Sequence, residues 1–175
     1  MDKGLVHVYC GDGKGKTTCA AGLAVRCAGC GGRVIWFQYL KRDISGERKS
    51  LERLENITLI PGYDKIKFTF KMTEEEKSEA KAFYVCALEN IKKMTEKEDY
   101  DMVVLDEVMA GISTGLVDES AVTEFIDNRP KGLEVVLTGR DPSENILKRA
   151  DYISEIKKIK HPFDMGQPAR KKIEY

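Results

Sequence analysis

The chain has 175 residues, 42% hydrophobic and 33% charged, with 29 Lys plus Arg against 29 Asp plus Glu. That length sets a single domain over 1–175, able to bury a core without disulfides, as the expectation. A net charge of zero excludes the basic excess that non-specific nucleic-acid or anionic-membrane binding requires.

Leu5–Tyr9 is short, apolar and partly β-branched, and reads as a buried strand. No signal peptide precedes it and no stretch approaches the ~20 apolar residues of a membrane span, so a cytoplasmic protein with no membrane and no nucleic-acid partner is expected. A glycine loop follows. The Ala- and Leu-rich segment from Lys16 to about Ala28 predicts a helix stopped by Gly29, Gly31 and Gly32. Near its end lies Cys27-Ala-Gly-Cys30, one of two readings being a redox or half-zinc motif and the other structural cysteines at a helix end. Five cysteines (Cys10, Cys19, Cys27, Cys30, Cys86) with no second C-x-x-C fit a reduced compartment.

Val34–Tyr39 predicts a second strand, Lys41–Arg48 a polar loop, Lys49–Leu54 a short helix and Ile57–Ile60 a third strand. Pro61–Met72 is a long connection carrying Tyr63, Phe68 and Phe70. Thr73 with Glu76 three residues on is a capping-box signature for a long helix with Ala80, Phe83, Ala87, Leu88, Ile91 and Met94 at helical spacing. Met102–Leu105 predicts a buried strand ending in Asp106-Glu107. Helices are expected over Asp118–Asn128 and Ser143–Ala150, strands over Glu134–Thr138 and Tyr152–Ile156, and an irregular basic tail over Lys157–Tyr175. Strands alternating with helices imply a mostly parallel sheet with helices on both faces, an α/β protein.

Between the first strand and its helix stands Cys10-Gly11-Asp12-Gly13-Lys14-Gly15-Lys16-Thr17-Thr18. That setting identifies a phosphate loop: glycines let the backbone turn its N–H groups inward, and the helix start adds a partial positive charge. Lys16 offers a point charge to phosphate and Thr17 a hydroxyl to Mg²⁺. The loop is one residue shorter than the common pattern, with Cys10 at the place of the first glycine and Lys14 inserted; a ligand-free glycine turn is the competing reading. Asp106-Glu107 at a strand's carboxyl end suits a Mg²⁺-binding or water-orienting carboxylate. Arg140, in Thr138-Gly139-Arg140, either reaches the phosphates or is a solvated loop arginine. Phe68 and Phe70 read by period alone as one face of a core strand.

These motifs, in this order, resemble the ATP:corrinoid adenosyltransferases of the RecA-like P-loop group over nearly the whole chain. The likeness runs from Gly11–Thr18, where the family has Asn at the place of Asp12, through Gly22–Arg26, Phe37-Gln38-Tyr39-Leu40-Lys41 and Gly46-Glu47. Phe68-Thr69-Phe70 resembles the family's Phe-Thr-Trp. Leu105-Asp106-Glu107, Arg129-Pro130, Thr138-Gly139-Arg140, Ala150-Asp151, Lys160-His161-Pro162-Phe163 and Ile173-Glu174-Tyr175 complete it.

The resemblance implies transfer of the 5′-deoxyadenosyl group of ATP to the Co(I) of a corrinoid, with release of inorganic triphosphate, in adenosylcobalamin biosynthesis or salvage. It implies ATP bound with its phosphate chain reversed relative to other P-loop proteins. Lys14, Lys16 and Arg140 would neutralise the triphosphate, and Thr17 and Glu107 would hold Mg²⁺ directly or through water. Gly11, Asp12, Gly13, Gly15, Thr18, Gln38 and Lys41 would complete the nucleotide site.

By the same likeness, Phe68 and Phe70 pack under the corrin ring and displace its lower axial ligand, which eases reduction of Co(II). A reduced flavoprotein donor and a homodimer are implied as well. The first strand opens the sequence, so no N-terminal helical extension over the corrinoid is expected. The rival expectations are an ATP- or corrinoid-binding regulatory module without turnover, and a P-loop phosphotransferase.

Overall fold

The computed structural model describes residues 4–41 and 45–174; part of the expected polar loop (42–44) and the terminal Tyr175 lie outside the described residues. Strand β1 (Val6–Cys10) runs through the glycine loop into helix α1 (Lys16–Gly29). β2 (Val34–Gln38), the short α2 (Gly46–Leu51) and β3 (Ile57–Leu59) follow, then the long α3 (Glu74–Lys97), β4 (Met102–Asp106), α4 (Val108–Ser113) and α5 (Glu119–Asn128). β5 (Glu134–Thr138), α6 (Glu144–Leu147) and β6 (Tyr152–Glu155) complete the elements. The strands form one sheet in the order β3-β2-β4-β5-β1-β6, every neighbouring pair parallel. This is the α/β, RecA-like P-loop arrangement expected, and it brings all the strands' carboxyl ends to one edge.

Side chains alternate across the sheet as a pleated strand requires. Val34, Trp36, Met102, Val104 and Val136 point to one face, where α1 lays Ala20, Ala24 and Ala28 against them and α2 adds Leu51. Val6, Val8, Ile35, Phe37, Val103, Leu105, Val135 and Leu137 point to the other, under Tyr84, Leu88 and Ile91 of α3, Val108 and Met109 of α4 and Phe125 of α5. β2 and β4 are buried on both faces, which is why they read as unbroken apolar runs. β3 and β6 are the edge strands, and all four residues of β6 are exposed.

Several boundaries differ from expectation. The helix placed at Lys49–Leu54 is α2, beginning at Gly46 after Ser45 in extended geometry, with Arg48 and Leu51 buried one turn apart. β2 stops at Gln38 and Leu40 takes a left-handed φ of 53°. α4 was not expected; its six residues are too few to show a period, and its N-cap, Glu107, has a left-handed φ of 60° and no side-chain cap bond. α6 covers only Glu144–Leu147 of the predicted Ser143–Ala150. The basic tail contains one short 3₁₀ turn, Pro162–Met165. Phe68 and Phe70 belong to no strand: Thr69–Lys71 is a 3₁₀ turn, and the rings are 72% and 79% exposed, which removes the core reading.

Candidate functional site

A cavity of about 590 Å³ opens where β1 and β4 end and α1 begins. Asp12, Gly13, Lys14, Gly15, Lys16, Thr17 and Thr18 line one wall, Lys41 and Glu47 another, and Glu107 and Arg140 the strand ends. His161, Lys172, Ile173 and Glu174 of the tail close the remaining side. Of the residues assigned from sequence, Gly11, Gln38, Phe68 and Phe70 are not on its wall.

The loop's glycines have a steric cause that local sequence does not reveal. A Cβ on Gly11, whose φ is 105°, would stand 2.5 Å from the Ile156 carbonyl oxygen, and one on Gly13 would stand 2.7 Å from it. The chain leaving β6 presses on the loop, and the Gly13 N–H donates to the Ile156 oxygen at 2.7 Å. That N–H is turned toward Ile156, a local departure from the inward orientation expected of every amide in the loop. Asp12 joins the same seam, its carboxylate accepting the Lys158 N–H at 2.9 Å. That bond, helped by the Lys158 and Arg140 charges, holds the Asp12 carboxyl below the usual carboxylate range.

Gly15, whose φ is 126°, is the N-cap of α1, which has no side-chain cap and no acid in its first turn. Its first N–H groups and dipole therefore face the cavity as an anion site. Lys16 is buried there and donates to the Gly13 carbonyl at 2.8 Å. Burial pushes its pKa below the usual lysine value, with Glu107 acting in the opposite sense. Arg140 reaches the cavity without a hydrogen bond or ion pair among the described residues, so its guanidinium is available to an anion. Lys14 instead holds Glu174 at 2.6 Å.

The most buried charge is Asp106, 0% exposed. Its Oδ1 accepts the Thr138 hydroxyl at 2.7 Å, and its Oδ2 accepts Gln38 Nε2 at 3.0 Å and Lys41 Nζ at 2.8 Å. Lys41 Nζ also donates to Thr17 Oγ1 at 3.0 Å. Burial works against the Lys41 ammonium, yet Asp106 beside it, with Glu107 and Glu47 adding to the field, holds its pKa above the usual lysine value. Gln38 is buried behind this cluster, its amide shared between Asp106 and Glu47 Oε1, the latter at 3.0 Å.

From the sequence, the Asp106-Glu107 pair marks the strand end and Glu107 is the expected Mg²⁺ carboxylate; the structure makes Asp106 the buried centre of the cluster. The pleat carried the missing signal: Met102, Val104 and Asp106 share a face, and that face packs on α1, whose first turn carries Thr17. Glu174, in the terminal Ile173-Glu174-Tyr175, carries no site role readable from sequence. Only the folded tail brings it to Lys14.

Thr17, Asp106 and Glu107 offer hard oxygen donors around a position where a cation, the Lys41 ammonium, already stands; that donor chemistry fits Mg²⁺. Among the described residues no three His, Cys, Asp or Glu side chains gather as a metal site. Mg²⁺ does not require such a cage, because it is held by one or two carboxylates together with phosphate and water. Cys27 and Cys30 are free thiols, and burial pushes the Cys27 pKa up, which opposes thiolate chemistry and favours the structural reading. No helix among the described residues is long and apolar enough to cross a membrane.

A profile of the family described as "ATP:corrinoid adenosyltransferase BtuR/CobO/CobP" matches residues 2–175. A corrinoid adenosyltransferase of Escherichia coli is 33% identical over 177 aligned positions, covering 99% of this chain and 87% of the relative. The corrinoid adenosyltransferase CobA of Salmonella typhimurium is 34% identical with the same coverage. A corrinoid adenosyltransferase of Pseudomonas aeruginosa is 30% identical, covering 99% of this chain and 85% of the relative.

Proposed function

The chain belongs to the ATP:corrinoid adenosyltransferase family, and from that premise we propose that it transfers the 5′-deoxyadenosyl group of ATP to the Co(I) of a corrinoid in cobalamin biosynthesis. The observation that carries the reading is the cavity at the carboxyl edge, where Lys16, Arg140 and the uncapped start of α1 converge. It is a cradle for several phosphates in a row.

The cobalt lone pair forms a bond to C5′ of the ribose. The C5′–O bond breaks, its electron pair leaves on inorganic triphosphate, and the cobalt rises formally from Co(I) to Co(III). Cobalt is the nucleophile, so the protein's tasks are to align C5′ and to stabilise the charge that grows on the departing phosphate. Lys16 and Arg140 supply that stabilisation, and Lys14 joins them once Glu174 releases it. Thr17, Asp106 and Glu107 would hold Mg²⁺, which would add to the neutralisation of the triphosphate. Asp12, tied to Lys158, fixes the loop's shape. A cytoplasmic homodimer served by a reduced flavoprotein is supported by the family likeness.

Incubation with ATP, Mg²⁺ and chemically reduced cobalamin under anoxia is expected to give a light-sensitive Co–C product and an equal amount of triphosphate. ADP or a phosphorylated acceptor would identify a phosphotransferase, and binding without turnover a regulatory module. Lys16→Ala is expected to lower turnover by at least about a hundredfold, the scale of one lost oxyanion-type contact, with an unchanged circular-dichroism spectrum. Near-normal turnover would remove Lys16 from the mechanism.

A further inference from the structure

Lys41 takes no part in the phosphate loop, yet its ammonium occupies the most consequential position in the cavity. It bridges Thr17 Oγ1 at 3.0 Å and Asp106 Oδ2 at 2.8 Å, the hydroxyl and the carboxylate that would hold a divalent cation. The other atoms around Asp106 are fixed. Thr138 saturates Oδ1 from one side, and Gln38 reaches Oδ2 while bound to Glu47. Asp106 is wholly buried, so without a cation at Oδ2 it would be an uncompensated charge. Lys41 keeps 29% of its side chain exposed and has room to leave.

Two cations cannot share Thr17 Oγ1 and Asp106 Oδ2 at these distances without strong mutual repulsion. We propose that Lys41 is a resident counter-cation that excludes divalent metal from Thr17 and Asp106 until a polyphosphate enters and draws the ammonium away. Metal and nucleotide are thereby taken up together, and the protein without nucleotide binds a free divalent ion only weakly. This rests on the reading of the cavity as a metal–triphosphate site.

The test is binding of Mn²⁺ alone at neutral pH, read by electron paramagnetic resonance and calorimetry with neither ATP nor corrinoid present. Wild-type protein and Lys41→Arg should bind Mn²⁺ weakly. Lys41→Gln, which keeps a hydrogen-bond donor toward Asp106 and guards against loss of fold, should bind it roughly tenfold or more tightly, because one competing unit charge is gone. Mn²⁺ should also raise the melting temperature of Lys41→Gln and leave that of the wild type in place. Adding Asp106→Asn to Lys41→Gln should abolish the gained site.

Unchanged Mn²⁺ affinity in Lys41→Gln overturns the proposal and leaves Lys41 as a structural partner of Asp106. Persistence of the gained site in the double variant overturns it as well. The measurement needs no turnover: a chain that forms no Co–C bond still reports on Lys41, and active adenosylation with unchanged Mn²⁺ affinity removes only this role.

Discussion

Glu174 holds Lys14 at 2.6 Å and Arg170 at 3.0 Å. A carboxylate from the end of the chain thus occupies Lys14 of the phosphate loop, a lysine that the proposed function assigns to phosphate. Arg170 first and Lys14 next draw the Glu174 pKa down to about 2, from an ordinary value of 4.5. A depressed carboxyl keeps its grip in full above its unfolded value and loses it as pH falls through the folded one. The contact is therefore complete above about pH 4.5 and lost toward pH 2, and across neutral pH it competes with phosphate at constant strength. Glu174→Gln should tighten ATP binding roughly two- to fivefold by calorimetry at pH 7, the range expected for release of an exposed ion pair. Unchanged or weaker binding would mean that the carboxylate orders the tail and does not compete.

At the scale of elements, α3 shows the closest agreement between sequence and structure. Glu76 N–H donates to Thr73 Oγ1 at 3.2 Å and Thr73 N–H to Glu76 Oε2 at 3.1 Å, both halves of the expected capping box. Thr73→Ala should cost about 1 kcal/mol and lower Tm by about 2–4 °C, read by thermal denaturation; an unchanged Tm would mean that packing alone sets the helix start. Caps, glycine stops and apolar runs act within a few residues, which is why α1, α3, β4 and β5 were legible in the sequence. The phosphate loop was legible for the same reason, since strand, glycines, Lys16 and Thr17 are contiguous. α4 left no trace because its start relies on the left-handed Glu107, whose N–H is taken by the Thr138 hydroxyl at 2.9 Å. Asp106 as the buried hub, Ile156 pressing on Gly11 and Glu174 on Lys14 are pairings across the fold, and no local pattern encodes them.

At the scale of the whole molecule, the parallel sheet delivers two features to its carboxyl edge, at separated strands. The phosphate loop leaves β1, next to one edge of the sheet, and the connection from Ile60 to Met72 leaves β3, the strand at the other edge. Ile60, Tyr63, Ile66 and Met72 anchor this connection in the core, with Tyr63 against Phe83 of α3. Phe68 and Phe70 are thereby presented outward, stacked at 5.6 Å between centroids, with the Lys71 ammonium near both rings. Two large exposed apolar rings on a core-anchored turn offer a flat apolar surface, which under the proposed function would lie beneath the corrin. If Phe70 excludes the lower axial ligand of cobalt, its effect belongs to the reduction of Co(II), because an axial donor raises the orbital that must be filled. Phe70→Ala should then slow the reaction roughly tenfold or more when it starts from Co(II), and only about twofold when it starts from pre-reduced Co(I), a barrier difference near 1 kcal/mol. Tm should stay in place, because a ring this exposed contributes little to folding. Equal losses from both starting states would make Phe70 a docking contact without influence on the metal's ligation. Loss of fold would return it to the core role that its exposure argues against.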